Sequence, residues 1–171
     1  MKEMLSLFLC TVALTSLSDC DRDEPKTELE KLPPITQEGK NTFGCLVNDI
    51  AWVTKTSIDA YAVYQVGFLT VSAVLRNPNF DQGITFTIVD ANLKEGDINL
   101  SDSTKQYVAF GDAISNCQLI SDGITGSGIF TITKFDKHKR IVSGIFHFQL
   151  DKVGCQSIQA TEGRFDLTLT L

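Results

Sequence analysis

Along the last stretch of the chain, apolar and polar residues alternate with a period of two. Phe165, Leu167, Leu169 and Leu171 fall on one side, and Arg164, Asp166, Thr168 and Thr170 on the other. That period belongs to a strand with one buried face and one wet face. Residues 141–150 repeat the pattern. Val142, Gly144, Phe146, Phe148 and Leu150 share one face, and Ser143, Ile145, His147 and Gln149 the other. Residues 128–135 precede them across Asp136-Lys137-His138-Lys139-Arg140, which predicts a long hairpin. Upstream, residues 43–47 and 50–54 flank Asn48-Asp49, two turn formers between apolar runs and so a tight hairpin. Residues 61–75 are a long apolar run around Gly67, read as two strands or one bent strand. Asn77-Pro78-Asn79 breaks the chain, and residues 84–89, 106–110 and 114–120 are further strands. Residues 94–102 and 121–126 read as loops, and residues 56–64 allow one short helix. Beyond the leader no window carries a strong helical period.

Nine or ten short strands over residues 42–171 predict a single all-β domain. An antiparallel β-sandwich is the first expectation, with a small closed or partly open β-barrel as the alternative.

The N-terminus is different. Residues 4–17 are apolar and uncharged, and follow Lys2. The run is shorter than the roughly 20 residues of a membrane-spanning helix and has the length of a signal-peptide core. It ends in Leu17-Ser18-Asp19-Cys20, which resembles a bacterial lipobox. The resemblance implies a signal peptide over residues 1–19 and lipidation of Cys20. Asp21-Arg22-Asp23-Glu24 and the polar residues after it read as a tether over residues 20–41. Acidic residues directly after the lipidated position resemble the surface-export signal of Bacteroidota lipoproteins. They imply an exported protein anchored in the outer membrane and either displayed on the cell surface or facing the periplasm.

Charge narrows the partners. The 171 residues carry a formal net charge of −6, with no Lys/Arg stripe, which argues against nucleic acid. The same balance argues against adsorption of the protein surface to an anionic bilayer, so membrane contact is assigned to the lipid anchor. Of the five cysteines, Cys45, Cys117 and Cys155 remain once Cys10 leaves with the leader and Cys20 carries lipid. In an oxidising compartment, one disulfide and one buried thiol is a simple outcome. Cys117 and Cys155 flank the long hairpin and are the favoured pair; three unpaired buried cysteines are the alternative.

Three segments resemble a known group. Asn41-Thr42-Phe43-Gly44-Cys45-Leu46-Val47-Asn48, after Leu32-Pro33-Pro34-Ile35-Thr36-Gln37, is similar to the start of small Bacteroidota lipoproteins of unknown function. So are Ile132-Thr133-Lys134-Phe135-Asp136 with Arg140 to Phe146, and the ending Glu162-Gly163-Arg164-Phe165-Asp166-Leu167. The resemblance covers both ends of the body. It implies a β-rich, membrane-anchored envelope protein and supplies no catalytic or binding residues.

Motifs for chemistry are sparse. His138 sits in a turn and His147 on a wet strand face, without the short ligand spacing of a zinc site. Gly126-Ser127-Gly128 lacks the spacing of a nucleophile elbow and precedes a strand, not a helix. Asp81, Asp90, Glu95, Asp97 and Asp102 are numerous, but nothing in their spacing pairs two across a cleft. Trp52, Tyr61, Tyr64 and Tyr107 are the aromatics able to face a ligand such as a glycan. The expectation is a non-catalytic lipoprotein module, without metal or cofactor, that binds a ligand, a glycan or a partner protein. A structural or assembly role in the envelope is the alternative, and an unrecognised hydrolase a minor one.

Overall fold

The structure, a computed structural model, describes residues 26–171. The signal peptide expected over residues 1–19 and the lipidation expected at Cys20 lie outside the described residues. A single 3-10 turn, Leu29–Lys31, precedes eleven strands. They are β1 (Thr42–Val47), β2 (Ile50–Val53), β3 (Ala60–Gln65), β4 (Phe68–Asn77) and β5 (Phe80–Val89). Then come β6 (Gly96–Asn99), β7 (Gln106–Asp112), β8 (Cys117–Ile120), β9 (Gly126–Asp136), β10 (Ile141–Leu150) and β11 (Ile158–Thr170). No helix among them is long and apolar enough to cross a membrane.

The fold is all-β, as the alternation predicts. Of the architectures open to the sequence, strand pairing selects the partly open barrel. Nine strands follow one path, β6-β9-β10-β11-β3-β4-β5-β7-β8, and curl into a half-barrel. The reason is β11. Its first part pairs antiparallel with β10 and β1, and its last residues, Leu169 and Thr170, pair in parallel with Ala62 and Val63 of β3. One strand thereby joins what would otherwise be two stacked sheets. The β1–β2 hairpin branches from β11 off the main path.

Curling is built into the β10–β11 pair. Phe146 lies opposite Gly163, and Phe165 opposite Gly144. A Cβ on Gly163 would meet the Phe146 ring at 2.3 Å, and one on Gly144 the Phe165 ring at 2.6 Å. Each ring therefore fills the space that the facing glycine leaves, a pairing that suits a strongly coiled sheet. Phe165 stacks on Phe130 at 5.0 Å, and Phe86 touches Phe130 and Phe146 at 4.7 and 4.8 Å. With Phe43, these rings form the centre of the core, closed by the aliphatic inner faces of β3–β5.

Two local expectations change. Residues 94–102 contain a strand, β6, which pairs with β9 although its side chains are polar. An edge strand with little buried surface carries no hydrophobic signature. The helix allowed over residues 56–64 is a turn followed by β3, because Asp59 accepts bonds from the Thr56 amide and hydroxyl at 2.8 and 2.9 Å.

The tether also ends earlier than its composition implies. Residues 27–41 run along the domain as a strap. Glu28 accepts the Ala51 amide on the outer edge of β2 at 2.8 Å, Leu32 is buried, and Pro33 packs over Gly44. Polar composition alone reads as solvated linker; here the polar groups find partners on the folded domain, those of Thr36 and residues 38–41 more than a hundred residues away.

A groove beside a latched strap on the outer face

The outer face of β9, β10 and β11 has two halves. In the first, β10 supplies Ser143 and β11 supplies Asp166, which face each other across the ladder. Alternation places Asp166 on the wet face, and geometrically it is on that face. It is nevertheless only 1% exposed, because the strap crosses over it. The carboxylate accepts five hydrogen bonds. The Ser143 hydroxyl donates at 2.7 Å and the Thr36 hydroxyl at 2.6 Å. The Glu38, Gly39 and Lys40 amides donate at 3.0, 2.8 and 3.2 Å. Burial pushes the Asp166 carboxyl up, but the bonds from Thr36, Ser143 and the strap amides outweigh it and hold the pKa below the ordinary carboxylate range. Three consecutive N–H groups around one carboxylate make an anion nest, here filled by the protein's own side chain. Gln37 adds a bond to the Thr133 carbonyl at 3.2 Å, and Asn41 accepts the Thr168 amide at 2.8 Å.

The second half is open. Beyond Ile35 of the strap, a groove of about 700 Å³ crosses β6, β9, β10 and β11. A second hollow of about 390 Å³ continues it, sharing Ile129, His147 and Thr161. Its curvature follows from a bulge in β11. The pairing with β10 shifts register between Phe146 and Phe148, and Glu162 takes the left-handed conformation at φ 53°. The bulge turns Glu162 and Arg164 toward each other, with Arg164 Nη2 3.1 Å from Glu162 Oε2. Across the groove Asp97 of β6 accepts the Thr131 hydroxyl at 2.7 Å. His147 is exposed at the centre, over a floor that includes Ile129 and Ile145. Gln149, Gln159 and Asn99 line the far end.

Chemically, the groove offers amides, hydroxyls and one imidazole over two isoleucines. Its two carboxylates already have partners, Asp97 in Thr131 and Glu162 in Arg164. Among the described residues no group of three or more His, Cys, Asp or Glu side chains is placed to hold a metal ion.

The aromatic set read from the sequence does not come together. Trp52 and Tyr64 are core residues. Trp52 packs edge-on against Phe43 at 5.8 Å, and Tyr64 edge-on against Phe135 at 5.2 Å. Tyr61 and Tyr107 lie on the outer face of the opposite side of the barrel, away from the groove. The physical reason is register: Tyr61 and Tyr64 are three apart on β3 and so face opposite ways. Cys117 and Cys155 form a disulfide with Cα atoms 5.8 Å apart, which ties β8 to the loop between β10 and β11. Cys45 is unpaired and fully buried, and burial pushes its thiol pKa up to about 12. His138 stays in the β9–β10 turn.

Searches against protein-family models, curated proteins and solved structures find no match to this chain.

Proposed function

We propose that this protein is a non-catalytic binding module of the cell envelope, held at the outer membrane by lipid on Cys20, whose outer groove receives an extended segment of a partner protein. The observation that carries the reading is the groove itself, a trough across four strands beside the strap that leads back to the anchor. Its donors and acceptors suit a peptide backbone, and the phenylalanines of its lining, Phe146 and Phe148, are buried in the core and so present no open face on which a sugar would stack. The sequence resemblance to small Bacteroidota lipoproteins is consistent with this setting.

An assembly role would be favoured by a contiguous apolar face. On the outer surface of β3, β4, β5, β7 and β8, Tyr61, Phe68 and Ile120 are exposed but stand apart, with Thr70, Ser72, Thr85 and Thr87 among them.

The test is site-specific photocrosslinking in intact cells, with the crosslinker at Gln149 in the groove or at Thr87 on the opposite face. A discrete protein adduct from position 149 and none from position 87 is the expected result. Equal labelling, or none, removes the groove from consideration. In parallel, a lipid-sized mass on the protein that vanishes in Cys20→Ala tests the anchor separately.

A further inference from the structure

A second cavity, unconnected with the groove, opens at one end of the barrel. It measures about 190 Å³ and lies among the β1–β2 hairpin, β4, β5, β7 and the start of β11. Its walls are Val47, Ala51, Trp52, Leu75, Phe110 and Ile158. No ionisable side chain lines it. The polar groups at its border are the amides of Asn48, Gln82 and Gln156.

These amides are not equivalent. Asn48 is spent on the backbone: it donates to the Ser157 carbonyl at 3.0 Å and accepts the Gln159 amide at 2.8 Å. Gln82 accepts the Trp52 indole N–H at 3.0 Å and donates to Asp112 at 3.2 Å, which fixes the indole in place as a wall. Gln156 is exposed at the mouth, and among the described residues its amide makes no side-chain hydrogen bond. The mouth is also held in shape. Cys155, next to Gln156, is bridged to Cys117 of β8, and Lys152 donates to the Gln118 carbonyl at 2.9 Å. A pre-shaped apolar chamber with one uncommitted amide at its entrance is the general form of a small-molecule site.

We propose that this cavity binds a small uncharged molecule with an aliphatic or aromatic body and one hydrogen-bonding head, the body against Trp52 and the head at Gln156. Size and charge set the class. An apolar cavity of about 150 Å³ holds a benzene-sized guest, so this one takes roughly six to eight non-hydrogen atoms. An ion is excluded because it would lose its hydration with no opposite charge to meet. This inference does not rest on the groove.

Trp52 is the only tryptophan of the chain and reports on its own wall. The probe is 6-bromohexanol, whose bromine quenches indole emission at contact range. It is titrated against the intact protein in lipid vesicles. The expected result is saturable quenching that disappears in Val47→Phe, where the added bulk fills the chamber from the face that Val47 shares with Trp52. Gln156→Ala, at an exposed position that cannot unfold the domain, weakens binding roughly three- to tenfold through loss of one hydrogen bond. Reduction of the Cys117–Cys155 disulfide weakens it as well by loosening the mouth. Quenching that rises linearly without saturation overturns the proposal. So does saturable quenching that is the same in Gln156→Ala and in a folded Val47→Phe.

Discussion

Ser143 and His147 stand on the same face of the same strand, β10, yet Ser143 is fully buried and His147 is exposed in an open groove. On β11 the contrast is weaker, with Asp166 buried and Arg164 half-buried at the edge of the groove. Nothing in the strands themselves separates the two halves. The strap does: it covers Ser143 and Asp166 and stops covering at Ile35, which forms the lip of the groove. A face that alternation marks as wet is thus divided into a dry latch and a wet trough by a segment that arrives from more than a hundred residues away in sequence. A buried carboxylate with five donors is a costly arrangement to break, whereas an exposed imidazole costs little to remove.

The largest expected effect follows from removing the latch. Asp166→Ala leaves three strap amides and two hydroxyls without their acceptor and should destabilise the domain by roughly 3–5 kcal/mol. Urea unfolding measures it, and amide hydrogen exchange should show residues 36–40 losing protection first. A loss below about 1 kcal/mol would mean that the strap is held by its other contacts and the two halves differ less than their geometry says.

A smaller effect sharpens the same contrast through pH. The Asp166 pKa is depressed in the folded state, so the unfolded chain takes up the proton first as pH falls. The stabilisation from this group is therefore complete above the ordinary carboxylate pKa of about 3.9. It fades below that pH and is gone once pH has dropped through the folded value. Thermal midpoints of the parent protein and Asp166→Asn should differ near pH 6 and draw together as pH falls below the ordinary carboxylate pKa of about 3.9. A constant gap would assign the loss to shape instead of charge.

The smallest effect on stability belongs to the groove. His147→Ala should change unfolding free energy by no more than about 0.5 kcal/mol, as expected of an exposed side chain with no hydrogen-bond partner among the described residues. It should, however, reduce the crosslinked adduct formed from position 149. A variant that destabilises the domain without touching the adduct would reverse the roles given to the two halves.

Much of the scaffold was legible because it is written locally. Asn48 and Asp49 both adopt positive φ, at 49° and 65°, as a two-residue hairpin between twisted strands requires. The β9–β10 hairpin and the inner faces of β10 and β11 follow from period two alone. Val66 was less legible: it sits at φ 48° in the β3–β4 turn beside Gly67, a conformation a β-branched residue rarely takes. Within the sites, His147 was read correctly as facing outward, but a period of two says nothing about whether that surface is flat or hollow. Which way Trp52 and Tyr64 face is not legible, because aromatic content does not reveal which way a short strand turns. Asp166 carries no distinguishing signal: it falls in the polar half of the repeat with Arg164, Thr168 and Thr170. Alternation reads it as solvent-facing.

By itself, then, the sequence determined the class of fold, the positions of the main turns and which residues face the core. These depend on the two-residue repeat of a strand and on the φ preferences of turn residues, properties that act within a few positions. Tertiary structure alone decided the parallel join of β11 to β3, the latch of the strap on Asp166, the groove beside it and the small chamber under Trp52. Each brings together segments distant in sequence, and its shape comes from the space between elements that no single segment encodes.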